Sequence, residues 1–264
     1  TVALTARLTM SLFYSKDKPV KPLPFPIYYW TVALLALAGL LNSIYLAISH
    51  YRIYSDIGYK SFCAISRAIN CDTVSQSPYA IMLNMPLAIW GVIGYTFILI
   101  LVLITGSKSA DRERIWSLIF WITLVFSGHS VILALISTYH IRSYCILCIV
   151  SYGVNFALLF YAWLMRRRFS NYGLMANTLK DMLFIWQNKV KSVLILTTFF
   201  AATTFTWTFY PNYWNLKSPR ISADIPSGIT ASGYPWMGAE NAAFEITEFA
   251  DYQCFQCKKM HFYL

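Results

Sequence analysis

The sequence predicts an all-α, multi-pass membrane protein, and three observations predict it. Of the 264 residues, 58% are hydrophobic and 12% charged, whereas a soluble domain carries roughly 25% charged residues. Mean hydropathy is +0.51. Five apolar runs are each long enough to cross a hydrocarbon layer of about 30 Å, which takes roughly 20 residues of helix. The basic residues, which give a net charge of +10, fall between these runs instead of gathering in a patch. That distribution is an orientation signal, and no nucleic-acid partner is expected.

Residues 1–26 form a polar, basic segment that begins at Thr1 and shows no cleavable leader with a small-residue exit site. The first run, about Ile27 to Ser49, is therefore expected to stay as an anchor. The second span runs from about Pro86 to Thr105, with Pro86 suited to a helix first turn because its missing N–H costs nothing there. The third runs from about Ile115 to Thr138 and the fourth from about Tyr144 to Met165. Residues 166–189 place Leu179, Met182, Leu183 and Trp186 at helical spacing among polar residues, as in a helix lying along a leaflet. The fifth span covers residues 190–210. Residues 211–238 turn to Pro, Ser, Gly and Asn and read as an exposed linker. Within residues 239–264, "AFEITEFADYQC" at 243–254 alternates in a way that predicts a strand running into Cys254. The first and third spans echo each other in "SIYLAISHYRI" and "SVILALISTYHI", a faint two-fold repeat.

Sorting the basic residues by side gives thirteen against eight. Arg7, Lys16, Lys18, Lys21, Lys108, Arg112, Arg114, Arg166, Arg167, Arg168, Lys180, Lys189 and Lys191 share one side. Arg52, Lys60, Arg67, Arg142, Lys217, Arg220, Lys258 and Lys259 share the other. The positive-inside rule then places the N-terminus in the cytoplasm and the 50–85 loop, the turn between spans three and four, and the tail outside. All six cysteines fall on the outer side, in three close pairs. Disulfides persist outside the cytoplasm and are reduced within it, so topology and cysteine usage agree.

Cys145 and Cys148 sit three apart at the start of the fourth span. On a helix turn their sulfurs share one face, and a helix N-terminus favours a thiolate; His140 and Arg142 just upstream would add positive potential. The plainer reading is two small buried apolar residues. Cys63 and Cys71 lie in the outer loop and admit three readings: a metal pair with His50 or His140, a structural disulfide, or a shuttle pair exchanging with Cys145 and Cys148. The third is preferred. Cys254 and Cys257 follow a strand and precede a basic stretch, the thioredoxin-like order of strand, CxxC and helix. The chain ends at Leu264, seven residues after Cys257, so a fragment of a longer protein is expected. His129, mid-span, reads as a satisfied buried histidine.

Together these pieces resemble the bacterial vitamin K epoxide reductase homologues fused to a thioredoxin-like domain. The resemblance rests on "CDTVSQSPYA" at 71–80, "MPLAIWGVIGY" at 85–95, "CILCIVSYGVN" at 145–155 and "EITEFADYQCFQCKKMH" at 245–261. Two departures stand out. Phe255 and Gln256 fill a CxxC where the family's fused domain commonly has Pro, and Met85 replaces the Gly that often precedes the Pro of the second span. The resemblance implies a four-helix bundle over 27–165 around a quinone of ubiquinone or menaquinone/phylloquinone type, with a fifth helix tethering the thioredoxin-like domain. It further implies electron flow from the thiols of exported proteins to Cys254/Cys257, then Cys63/Cys71, then Cys145, with Cys148 delivering them to the quinone. Ser77, Asn84 and Tyr152 become candidates for lining the quinone site, and no metal is implied. The expected setting is a bacterial inner membrane, with the C-terminus periplasmic. Competing expectations are a thiol-driven reductase of a quinone or quinone epoxide, a transmembrane thiol carrier, and a non-enzymatic metal-binding or assembly protein.

Overall fold

The computed structural model describes residues 24–56, 58–66, 68–105, 114–169, 173–187, 189–215, 225–239, 241–247, 249 and 257. Four helices are long and apolar enough to cross a membrane: α1 (Phe25–Ser55), α3 (Leu87–Thr105), α4 (Trp116–Ile136) and α5 (Ile146–Phe169). Each buries one narrow stripe. On α1 it is Tyr28, Val32, Ala36, Gly39 and Ser43; on α4 it is Trp116, Ile119, Thr123, Ser127 and Ser130. The three- and four-residue steps keep those side chains on one face. The remaining surface is apolar and outward, with Leu34 and Leu103 62% and 68% exposed. A water-soluble bundle does not leave whole helix faces so oily; a lipid-embedded one does.

Lipid supplies no hydrophobic drive between helices, so small residues that let backbones approach carry much of the association. Gly39 on α1 faces the ring of Tyr95 on α3, where a Cβ would overlap it, and a Cβ at Gly91 would stand 2.6 Å from Ser43 Oγ. Gly94 similarly receives the ring of Phe126 on α4. α1 packs against α3 and α5, and α5 against α4; the Tyr95–Phe126 edge contact, at 6.1 Å, closes the ring of four.

Several expectations shift in detail. α1 runs six residues past Ser49, and α4 widens at its end into a π turn, Ser137–Ile141. Pro86 is not in a helix first turn. It pairs in a two-residue strand, β2 (Met85–Pro86), with β1 (Ile81–Met82), and α3 starts one residue later. A helix forms over the segment expected to lie along a leaflet, α6 (Leu174–Gln187), with Leu179, Met182, Leu183 and Trp186 all exposed. Its other face meets α4: Ser117 N–H donates to Asp181 Oδ2 at 3.1 Å, and Trp121 Nε1–H to Thr178 Oγ1 at 3.3 Å.

α7 (Lys189–Phe209) forms where the fifth span was expected, although its described apolar stretch, Val193–Phe209, is shorter than the four spans. Within the expected linker lies a hairpin, β3 (Ser227–Ile229) with β4 (Pro235–Met237). The expected strand over 243–254 does not form in its described part: residues 243–247 and 249 are irregular, with Phe244, Ile246 and Phe249 exposed. A strand exists only with a ladder partner, and among the described residues none lies beside it.

Candidate functional site

The site lies at the end of the bundle where α1 and α4 finish and α3 and α5 begin. There the chain between α1 and α3 folds over the bundle mouth. Asn70 caps the short helix α2 (Cys71–Gln76), its Oδ1 accepting the N–H groups of Asp72 at 2.9 Å and Thr73 at 3.2 Å, the standard use of Asn at that position. The same residue's N–H donates to Tyr144 O at 3.0 Å, and Tyr144 N–H donates to Ala68 O at 2.8 Å. These two bonds stitch the loop to the residue before Cys145. Ser137 closes the turn from below, its hydroxyl donating to Ser143 O.

The stitching brings the loop and span cysteines together. Cys63 and Cys71 are disulfide-bonded, with Cα atoms 5.6 Å apart, which leaves no thiolate pair there for a metal. Cys63, Cys71 and Cys145 are 0%, 4% and 3% exposed and form one buried cluster, flanked by Leu46, Val74, Leu147 and Cys148. Cys145 and Cys148 are thiols. A disulfide thus packs against a thiol pair in one dry pocket.

Cys145 stands just before α5 and acts as its cap: Cys148 N–H donates to Cys145 Sγ at 3.2 Å. The Cys148 thiol, hydrogen-bonded to it, holds Cys145 below the ordinary thiol range, with the N–H groups of Cys148 and Leu147 adding to this. Burial and the charge of Asp72 act in the opposite direction. The anticipated contribution from His140 and Arg142 is not among the causes; the His140 ring lies tilted against Tyr79, with centroids 5.8 Å apart. Asp72 itself is 8% exposed, with Oδ2 accepting Ser61 N–H at 3.1 Å and Oδ1 buried without a hydrogen-bond partner among the described residues.

One turn beyond Cys148, Tyr152 is half-buried on the same face of α5. Below it runs a polar ladder that sequence reasoning largely missed. Asn42 Nδ2–H groups donate to Leu147 O at 2.9 Å and Ser151 Oγ at 2.7 Å. Tyr95 O–H donates to Asn155 Oδ1 at 2.7 Å, and Asn155 Nδ2–H to Ser130 Oγ at 2.9 Å. The available signal was an asparagine inside an apolar run, since a polar side chain at membrane depth must find a partner. These bonds pin α5 to α1, α3 and α4 just beneath the thiols.

The other candidates scatter. Ser77 ends α2, its hydroxyl donating to Val74 O at 2.7 Å. Asn84 sits in the β1–β2 turn, its Nδ2–H donating to Asn212 Oδ1 at 3.1 Å. Cys254 lies outside the described residues, and Cys257 is helical and half-buried. A separate groove between α4 and α5, lined by Phe120, Leu124, Phe156, Leu159, Phe160 and Trp163, begins two turns past Cys148 and offers no polar group to orient a headgroup.

The sequence model of the vitamin K epoxide reductase family matches residues 30–163, the four spans together with the loop and both described cysteine pairs. The chain belongs to that family. It is accordingly a multi-pass membrane oxidoreductase of thiol-dependent quinone or epoxide chemistry, and its family uses quinones as substrates or cofactors.

Proposed function

We propose that the protein is a quinone-dependent thiol oxidase that makes disulfides for exported proteins. The observation carrying this reading is the buried cluster in which the Cys63–Cys71 disulfide packs on Cys145, with Cys148 one turn deeper in a spanning helix. Thiols of a substrate protein reduce a Cys254–Cys257 disulfide in a thioredoxin-like segment, and that dithiol reduces Cys63–Cys71. A loop thiolate then attacks Cys145 Sγ of a Cys145–Cys148 disulfide, and the S–S bond breaks to release Cys148 as thiolate. The second loop thiol displaces Cys145, so the loop pair is again a disulfide and two electrons rest on the span pair. The Cys63–Cys71 disulfide beside the Cys145 and Cys148 thiols supports this order of exchange.

The polar groups at this end of the bundle suit a quinone. Tyr152, one turn past Cys148, offers a hydroxyl that no described residue engages, and Asn84, in the β1–β2 turn, offers amide hydrogens. When bound, a quinone supplies the two-electron acceptor. The chain's own residues orient its carbonyls through Tyr152 and Asn84, and the lowered Cys145 keeps thiolate available for exchange. Ser77 serves by ending α2 and so setting the loop over Cys145. An oxidising dithiol near −120 mV held against a thioredoxin-like −270 mV needs about 7 kcal/mol for two electrons. A membrane quinone supplies this; a thiol pool does not. α7 acts as a fifth span delivering the C-terminal segment to the periplasmic face of a bacterial inner membrane.

The decisive experiment incubates purified full-length protein with a reduced thiol substrate, with and without added quinone. Quinone is expected to accelerate disulfide formation and to be consumed one-for-one with it; no acceleration defeats the reading. The family's name favours one alternative, thiol-driven reduction of a quinone epoxide. Offering the epoxide in place of quinone, and finding it consumed at an equal or higher rate, selects that direction.

A further inference from the structure

The turn that presents Asn84 is held from outside the four-helix bundle. β1 and β2 pair Met82 with Met85, leaving Leu83 and Asn84 as a two-residue loop with φ of 51° and 57°. Two consecutive left-handed residues make a type I′ turn, which suits Asn and disfavours a branched side chain such as Leu. The turn therefore needs support, and three side chains give it. Trp90 Nε1–H donates to Met82 O at 3.0 Å from α3. Trp207 Nε1–H, near the end of α7, donates to Leu83 O at 2.8 Å. Asn212, just past α7, accepts from Asn84 Nδ2 at 3.1 Å.

The segment bearing Asn212 is itself anchored. Tyr213 O–H and His50 Nδ1 share a hydrogen bond of 2.7 Å, and the Tyr213 ring meets Tyr51 and Tyr54 edge-on at 5.1 and 6.0 Å. Tyr210 stacks on Trp214 at 6.1 Å. Residues 207–214 thus bridge the end of α1 and the β1–β2 turn. Trp207 and Asn212 both lie beyond residue 163, where the family match stops.

An amide nitrogen carries two hydrogens. With one given to Asn212, the plane of the Asn84 amide is set and its second hydrogen has a fixed direction. We propose that Asn212, aided by Trp207, is a positioning residue for quinone binding, holding Asn84 as an oriented donor. The segment after α7 is then a wall of the quinone site as well as a tether. This rests on Asn84 contacting the quinone, as in the proposed function.

The test uses the full chain, with quinone affinity read by equilibrium tryptophan quenching and turn mobility by hydrogen exchange of residues 82–86 without quinone. Asn212→Ala is expected to weaken quinone binding about tenfold, the size of one lost oriented hydrogen bond, and to speed exchange in the turn. Asn212→Asp keeps the acceptor oxygen and is expected to restore affinity. The rate at which Cys145 reacts with an alkylating thiol reagent stays as in the wild type, which reports an intact cysteine cluster. Unchanged affinity in Asn212→Ala, while Asn84→Ala weakens binding, overturns the inference and leaves the proposed function standing. If wild-type protein binds no quinone, the proposed function fails, and the inference with it. Equal loss in Asn212→Asp and Asn212→Ala also overturns it, because then only the packing of Asn212 matters.

Discussion

Asp72 and Cys148 pull on Cys145 in opposite directions, and each influence can be removed. Cys145 lies below the ordinary thiol range because the Cys148 thiol and two N–H groups favour its charged form, while the Asp72 charge opposes them. Asp72→Asn keeps an oxygen for Ser61 N–H and deletes the charge. Cys145 should then fall further, so its alkylation at a pH below its titration speeds by about two- to fivefold, as loss of a nearby like charge requires. The pH dependence of alkylation measures it: the half-maximum moves to lower pH in the variant, and a move upward contradicts the assigned causes. Cys148→Ser tests the exchange itself. With no resolving thiol, Cys145 can only attack the loop disulfide, so mapping of alkylated, unreduced protein should find Cys145 linked to Cys63 or Cys71. Quinone-dependent turnover should drop to background. If no such link forms, the buried cluster does not exchange electrons. Both cysteine pairs were legible in the sequence from spacing alone. Asp72 was not, because a carboxylate beside a cysteine has no meaning until burial shows one of its oxygens without a partner.

At the scale of elements, the start of α4 illustrates how a helix outside the four spans is built into the bundle. Ile115, its cap residue, has a φ of 75° and no side chain able to accept the first N–H groups. Asp181 of α6 fills that role through Ser117 N–H. Such capping is worth about 1 kcal/mol, so Asp181→Ala should lower the thermal midpoint in detergent. Asp181→Asn separates acceptor from charge. Burial raises the Asp181 pKa, against backbone hydrogen bonds that lower it, so its ionised form is disfavoured in the fold. The neutral amide should thus equal or exceed the wild type at pH 7. Lowering the pH through the raised pKa neutralises the wild-type carboxyl as well, and the two midpoints should converge. A gap that widens on acidification refutes this account. The exposed apolar stripe of α6 was readable because helical periodicity survives without knowledge of neighbours. Its contact with α4 was not, since Asp181 and Thr178 look like ordinary polar-face residues until a partner appears.

For the whole molecule, hydropathy revealed the spans because lipid forces long apolar helices, with edges that shifted by a few residues where capping and the β1–β2 turn intervene. Pairing between helices was opaque. The Gly39–Tyr95 and Asn42–Ser151 contacts depend on rotation about each axis, which composition does not set. The expected strand before Cys254 shows the opposite limit, since alternation alone does not make a ladder. Orientation is a different kind of claim, resting on charge rather than shape. The fold puts Cys63, Cys71 and Cys145 at one end of the bundle and Arg114, Arg166 and Gly173 at the other. By the positive-inside rule, the excess of Lys and Arg predicts a cytoplasmic second end. A cysteine introduced at exposed Gly173, in a background whose six native cysteines are replaced by Ser, separates the two statements. In sealed right-side-out vesicles, a membrane-impermeant maleimide should leave Gly173→Cys unlabelled until the bilayer is permeabilised, whereas a cysteine at exposed Phe62 should label at once. Labelling at both positions without permeabilisation contradicts the opposed ends. The mirror-image pattern keeps the fold but reverses the orientation, which would place the loop disulfide in a reducing compartment and remove the oxidising setting that the proposed function requires.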